Sequence, residues 1–145
     1  MLNKDRITIP NKLLFEQVLS YIKQGKYVTI RVKGTSMLPF LKEGNRVSLK
    51  SFHAGELTKG IIVLANVHGQ MILHRVVRYN NTTIYLAGDG NVSEHEVVSY
   101  GDVVATAFSV YRGETEVKLN QRWLRYLGQV WYWIRPVRRV ARKLF

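Results

Sequence analysis

The stretch GIIVLANVHGQMILHRVVRYNNTTIYLA, residues 60–87, decides the fold class. After Gly60, Ile61–Asn66 reads as an almost wholly apolar strand. His68-Gly69 marks a turn, and Gln70–Tyr79 runs back as the partner. Asn80-Asn81 is a second turn, and Thr82–Ala87 returns once more. Strands joined by links this short pair antiparallel.

The same pattern extends in both directions. Upstream, Tyr27–Val32 alternates and is rich in β-branched residues, and Asn45–Lys50 follows the turn candidate Glu43-Gly44. Downstream, the glycine-rich loop Gly88–Asn91 precedes strands at Val97–Ser99 and Val103–Val110, divided by Gly101-Asp102. Near the start, Leu13, Leu14, Val18, Leu19 and Ile22 recur at helical spacing, which predicts a helix over Asn11–Gln24 that Gly25 stops. The expected fold is mainly β: a folded-over antiparallel sheet or partial barrel with an N-terminal helix, in one domain over residues 1–120.

Residues 121–145 differ in character. Trp123, Leu127, Val130, Ile134, Val137, Ala141 and Leu144 step by four and three, the mark of an amphipathic helix, and Pro136 should divide it near Arg135. Trp131 and Trp133 widen the apolar surface. The segment carries Arg122, Arg125, Arg135, Arg138, Arg139, Arg142 and Lys143, mostly off the stripe, and no acid. The stripe has two competing uses: closing the core or pairing with another chain, or lying in an anionic membrane interface.

Composition narrows the function classes. The 145 residues, 46% hydrophobic and 22% charged, suit one folded domain. No cysteine is present, which excludes disulfides, thiolate nucleophiles and cysteine zinc sites. The formal net charge of +12 favours polyanionic surfaces in general. No stretch reads as a signal peptide or a membrane span, so the expected location is cytoplasmic or peripheral to the inner membrane. Nucleic acid is disfavoured, because nothing but charge supports it.

Few residues can carry chemistry. Ser36 stands in Gly34-Thr35-Ser36-Met37-Leu38-Pro39, where glycine and proline turn the backbone and present side chains outward. A serine needs a base to become a nucleophile; without one it is a turn serine bonding its own backbone. Among the histidines, His68 falls in a hairpin turn and His53 in a polar loop, with His95 the remaining candidate. His74 interrupts the apolar run Met71-Ile72-Leu73-His74-Arg75-Val76-Val77 and must find a hydrogen-bond partner or an open face. Their scatter does not match zinc spacing, and neither metal nor cofactor is expected.

The ordered boxes Gly34-x-Ser36-Met37-x-Pro39, His74-Arg75-Val76-Val77 and Gly88-Asp89-Gly90-Asn91 resemble the signal peptidase I superfamily, the S24/S26-type serine peptidases. Most bacterial signal peptidases and the self-cleaving repressors of that superfamily use a lysine base. In its archaeal and endoplasmic-reticulum members a histidine stands there, and here that position is His74. The segment Tyr27–Gly44 also resembles small soluble members from Bacteroidetes.

The resemblance implies a serine endopeptidase acting on a precursor or leader peptide, with Ser36 as nucleophile and His74 as general base. Asp89 is then the expected orienting carboxylate, with Glu94 and Asp102 as alternatives, because Glu94-His95 replaces the aspartate pair of that branch. Thr35, Met37 and Pro39 would shape the oxyanion and substrate pocket, and Gly88 and Gly90 would let their loop come close to it. The missing aspartate leaves a second reading open, a peptide-binding module that keeps the fold without turnover.

Overall fold

Both hairpins of residues 60–87 lie in the middle of the sheet in the computed structural model, which describes residues 12–90, 95–119 and 122–144. Strand β3 (Ile62–Val67) pairs with β4 (Gln70–Tyr79) in a register that sets Val63 opposite His74, and β4 pairs with β5 (Thr83–Ala87). The first turn has φ of 51° at His68 and 82° at Gly69. Two left-handed residues in a two-residue link match the twist of a tight hairpin.

Among the described residues, eight strands form one antiparallel sheet that does not close into a barrel. The remaining strands are β1 (Val28–Arg31), β2 (Arg46–Ser51), β6 (Glu96–Ser99), β7 (Val103–Arg112) and β8 (Thr115–Lys118). Their order is β1-β2-β7-β3-β4-β5-β6, with β8 paired to β7. The expected mainly β fold is therefore observed. Strand β8 was not anticipated: Val117 is its sole apolar residue, so it lacks a periodic signal.

Helix α1 (Lys12–Lys23) packs Val18 and Ile22 on one apolar cluster with Val47, Leu49, Leu64 and Leu73. A second cluster gathers Val63, Ile72, Ile84, Leu86 and Val98. Alternation along β4 sends Leu73 to the first cluster and Ile72 to the second. Each fully buried side chain of this size contributes about 1.5–3 kcal/mol. Such rigid packing on both sides fixes what β4 carries between them, including His74.

The tail forms α2 (Arg122–Trp133) and α3 (Arg135–Leu144). The division falls at Ile134, one residue before the expected place. Helical hydrogen bonds still bridge it, from Ile134 N–H to the Val130 carbonyl and from Arg138 N–H to the Ile134 carbonyl. The orientation corrects one expected use of the stripe. Leu127, Ile134, Val137, Ala141 and Leu144 face solvent and do not close the core. Arg125, Arg138 and Arg142 instead reach protein oxygens at Thr58, Asp89 and Gly90. No helix among the described residues is long and apolar enough to cross a membrane.

Candidate functional site

Ser36 lies in a chain of turns between β1 and β2, begun by Gly34 at φ 84°. Leu38 N–H donates to the Thr35 carbonyl at 3.1 Å, and Leu41 N–H to the Met37 carbonyl at 2.9 Å. The Leu38–Pro39 peptide is cis. Gly90 N–H donates to the Ser36 carbonyl at 2.8 Å, which ties the loop after β5 to the serine. That approach requires glycine: a Cβ at position 90 would stand 2.8 Å from the Thr35 carbonyl oxygen.

The fold brings Ser36 and His74 together. His74 Nε2 is 3.2 Å from Ser36 Oγ, within hydrogen-bond reach across 38 positions of sequence. On the far side of the ring, Nδ1 is 2.7 Å from Glu96 Oε2. His74 has no exposed surface, Ser36 is 2% exposed, and Glu96 is buried as well. An ionised carboxylate only accepts hydrogen bonds. An ionised Glu96 would hold the ring proton on Nδ1 and leave the Nε2 lone pair facing the serine hydroxyl.

Asp89 has another partner than the one expected of it. Arg75 Nε and Nη2 donate to its two carboxylate oxygens at 2.8 and 2.7 Å, a bidentate pair, while Arg75 Nη1 reaches the Gly60 carbonyl at 2.7 Å. His74 and Arg75 are adjacent on β4 and leave opposite faces of the strand. Asp89 thus joins Arg75, and the carboxylate on His74 comes from β6. Asp102 is also elsewhere: its carboxylate accepts from the Ser99 amide and hydroxyl at 3.0 Å each, capping the short 3-10 turn Tyr100–Asp102. Glu94 lies outside the described residues.

Glu96 was not among the sequence candidates. Its signal is the one that singled out His74, a polar side chain on the buried side of an apolar strand. In β6, Glu96 and Val98 alternate inward while Val97 and Ser99 face out. Starting the strand at Val97 hides that position.

The pocket residues divide as well. Met37 is fully buried in the first apolar cluster, with its sulfur 3.5 Å from the Asp89 amide, so it serves as core and not as an exposed lining. Thr35 is exposed beside Ser36. Pro39 lines a cavity of about 590 Å³ with Leu38, Gly90, Trp131, Arg138 and Arg142. The tail forms one side of this open cavity and grips the loop. Trp131 Nε1 and Arg138 Nη1 donate to the Asp89 carbonyl at 2.7 and 2.9 Å, and Arg142 Nη2 to the Gly90 carbonyl at 3.0 Å. Gly128 rests on the Arg75 guanidinium, where a Cβ would come within 2.5 Å.

His95 lies at the other end of the tail contact. Its Nε2 faces the Tyr132 hydroxyl at 2.6 Å and Arg135 Nη1 at 2.9 Å. Arginine only donates, so Nε2 is the bare nitrogen. Burial first, then the charges of Arg135 and Arg78, lower the pKa of His95 below its ordinary value near 6.5, against a smaller raising effect from Glu96.

A search of curated proteins finds no match to this chain. The profile of the Peptidase S24-like family matches residues 2–108, most of the chain, and the chain belongs to that family.

Proposed function

We propose that this member of the S24-like peptidases is a serine endopeptidase that cuts a peptide or precursor protein, with Ser36 as nucleophile, His74 as general base and Glu96 as the orienting carboxylate. The observation that carries the proposal is the hydrogen-bonded series from Ser36 Oγ through the His74 ring to Glu96 Oε2, at 3.2 and 2.7 Å. Serine, histidine and carboxylate in that order form a general-base relay on several unrelated folds, recognised by geometry and not by sequence position.

In the first half-reaction Ser36 Oγ attacks the scissile carbonyl carbon while its proton passes to His74 Nε2. The imidazolium so formed is stabilised by Glu96, which stays ionised. The Ser36 backbone N–H would donate to the oxyanion. His74 then gives its proton to the leaving amine, the C–N bond breaks, and an ester on Ser36 remains. In the second half-reaction water attacks that ester, His74 takes the water proton, and the serine is restored as the acid product leaves. The cavity bounded by Pro39, Gly90 and Trp131, which begins two residues after Ser36 at Leu38, would receive a substrate side chain.

One feature favours the competing reading of a peptide-binding module without turnover: only 2% of Ser36 is exposed. The two readings part in one experiment. Purified protein and its Ser36→Ala variant are incubated with a proteome-derived peptide library, and new termini are identified by mass spectrometry. A peptidase gives cleavages that the variant loses, with a rate drop of several orders of magnitude. Peptide binding retained in both forms without new termini would end the catalytic reading.

A further inference from the structure

The tail is amphipathic in the opposite sense from a helix that closes a core. Three of its cations turn inward: Arg125 bonds Thr58, Arg138 the Asp89 carbonyl and Arg142 the Gly90 carbonyl. Its apolar side chains turn outward. Val137 is 68% exposed and Leu144 72%, with Tyr126, Trp133 and Val140 all above one half. Leu127 and Ile134 are also exposed. The break at Ile134 does not interrupt this face, because both helices contribute to it. At 1.5 Å per residue, the strip from Tyr126 to Leu144 is roughly 27 Å long. An apolar strip of that extent on a soluble surface calls for an occupant.

We infer that the outer face of α2 and α3 rests on an anionic lipid surface. Charge selects this occupant. The last 25 residues hold seven cations and no acid, and the whole chain carries +12. Arg139 and Lys143 are exposed on the same helix as the outward valines. A second copy of the chain would set one such basic segment against another. Anionic headgroups would be attracted to the segment, at a distance over which the interaction is strong at low salt. Trp133 and Tyr126 are of the residue types that settle at headgroup depth, with the exposed aliphatic side chains Ile134, Val137, Val140 and Leu144 beyond Trp133 reaching the acyl boundary. A helix lying flat needs no membrane-spanning length, and among the described residues no helix has it. The inner side of the same helices grips the loop at Asp89 and Gly90, so the docked strip would hold the Ser36 region close to the bilayer.

The test is co-sedimentation of the full chain with vesicles of phosphatidylcholine alone or with one-third phosphatidylglycerol. Its comparison is the double variant Val137→Glu, Val140→Glu. Both side chains are mostly in solvent, and a far-UV spectrum like the wild type's shows that the variant folds. Expected are binding to the anionic vesicles only, a loss of about tenfold or more in the variant, and weakening as salt rises. Equal binding of wild type and folded variant would overturn the inference, as would wild type that pellets with neither vesicle. A lipid-free dimer that the variant converts to monomer would assign the face to a second copy and overturn it too. None of these outcomes depends on whether Ser36 is catalytic.

Discussion

Glu96 Oε2 lies 2.7 Å from His74 Nδ1, joined across a sheet in which Glu96 pairs with Leu86 and His74 pairs with Val63. Neither residue sits on a free loop, so the carboxylate is held to the ring by the registers of β4, β5 and β6. If Glu96 sets the tautomer, an amide in its place disrupts it. The amide can donate to Nδ1 and drive the ring proton to Nε2, where it blocks transfer from Ser36. Glu96→Gln should slow fluorophosphonate labelling of Ser36, and any peptide turnover, by about 10²–10⁴-fold. Asp102→Asn, at a cap remote from the imidazole, should leave the rate unchanged.

Asp89 is expected to behave differently, as half of a buried ion pair. Removing one partner strands the Arg75 charge beneath the tail, which costs about 3–5 kcal/mol, whereas replacing both with apolar side chains is far better tolerated. Urea unfolding of Asp89→Ala should show a loss of this order, and Arg75→Met with Asp89→Leu should recover much of it. Labelling of Ser36 in folded Asp89→Asn should fall far less than in Glu96→Gln. An equal fall would return Asp89 to the catalytic set.

The contact between Gly90 and the serine turn gives a third outcome. A methyl group at position 90 meets backbone at Thr35 and Ser36, 2.8 and 3.3 Å away, and the backbone cannot rotate aside as a side chain would. Gly90→Ala should therefore push the loop outward and weaken the Gly90 N–H bond to the Ser36 carbonyl. The cost should be about 1–3 kcal/mol by chemical denaturation, typical of overpacking. Amide hydrogen exchange at Gly90 should quicken. Unchanged exchange and stability would mean that the loop adapts without strain.

How much of this the sequence carried differs from element to element. The central hairpins were legible because Ile61–Asn66 and Gln70–Tyr79 are long apolar strands bounded by turn residues, a local signal. Ser36 and His74 were legible through the boxes that surround them. Glu96 was not, because a glutamate beside masking polar neighbours looks like loop until the strand is started one residue earlier and its alternation with Val98 emerges. Periodicity found the tail helix but could not say which side turns inward. That depends on the surface opposite, here a loop whose Asp89 and Gly90 carbonyls need donors that Trp131, Arg138 and Arg142 supply. Asp89 shows the same limit: local sequence does not say whether a carboxylate meets a histidine or the arginine next to it.

His95 makes the docking of the tail sensitive to pH. Arg135 and Tyr132 both approach its Nε2, Arg78 and Lys59 line the same pocket, and Glu96 is the opposing charge. The folded pKa is lowered by burial and by Arg135 and Arg78, so the unfolded chain, with histidine near 6.5, takes up its proton first as pH falls. The unfolded state then binds more protons, and stability rises with pH across that interval. The contribution of His95 is thus complete above about pH 6.5 and is lost as pH falls through the depressed folded value. Urea midpoints measured between pH 7.5 and 5 should decline in the wild type. The decline should be smaller in His95→Gln, whose neutral amide can accept from Arg135 at every pH. The two proteins differ at this residue alone, so the difference between the two curves reports on His95. Parallel curves would show that its protonation does not bear on the tail.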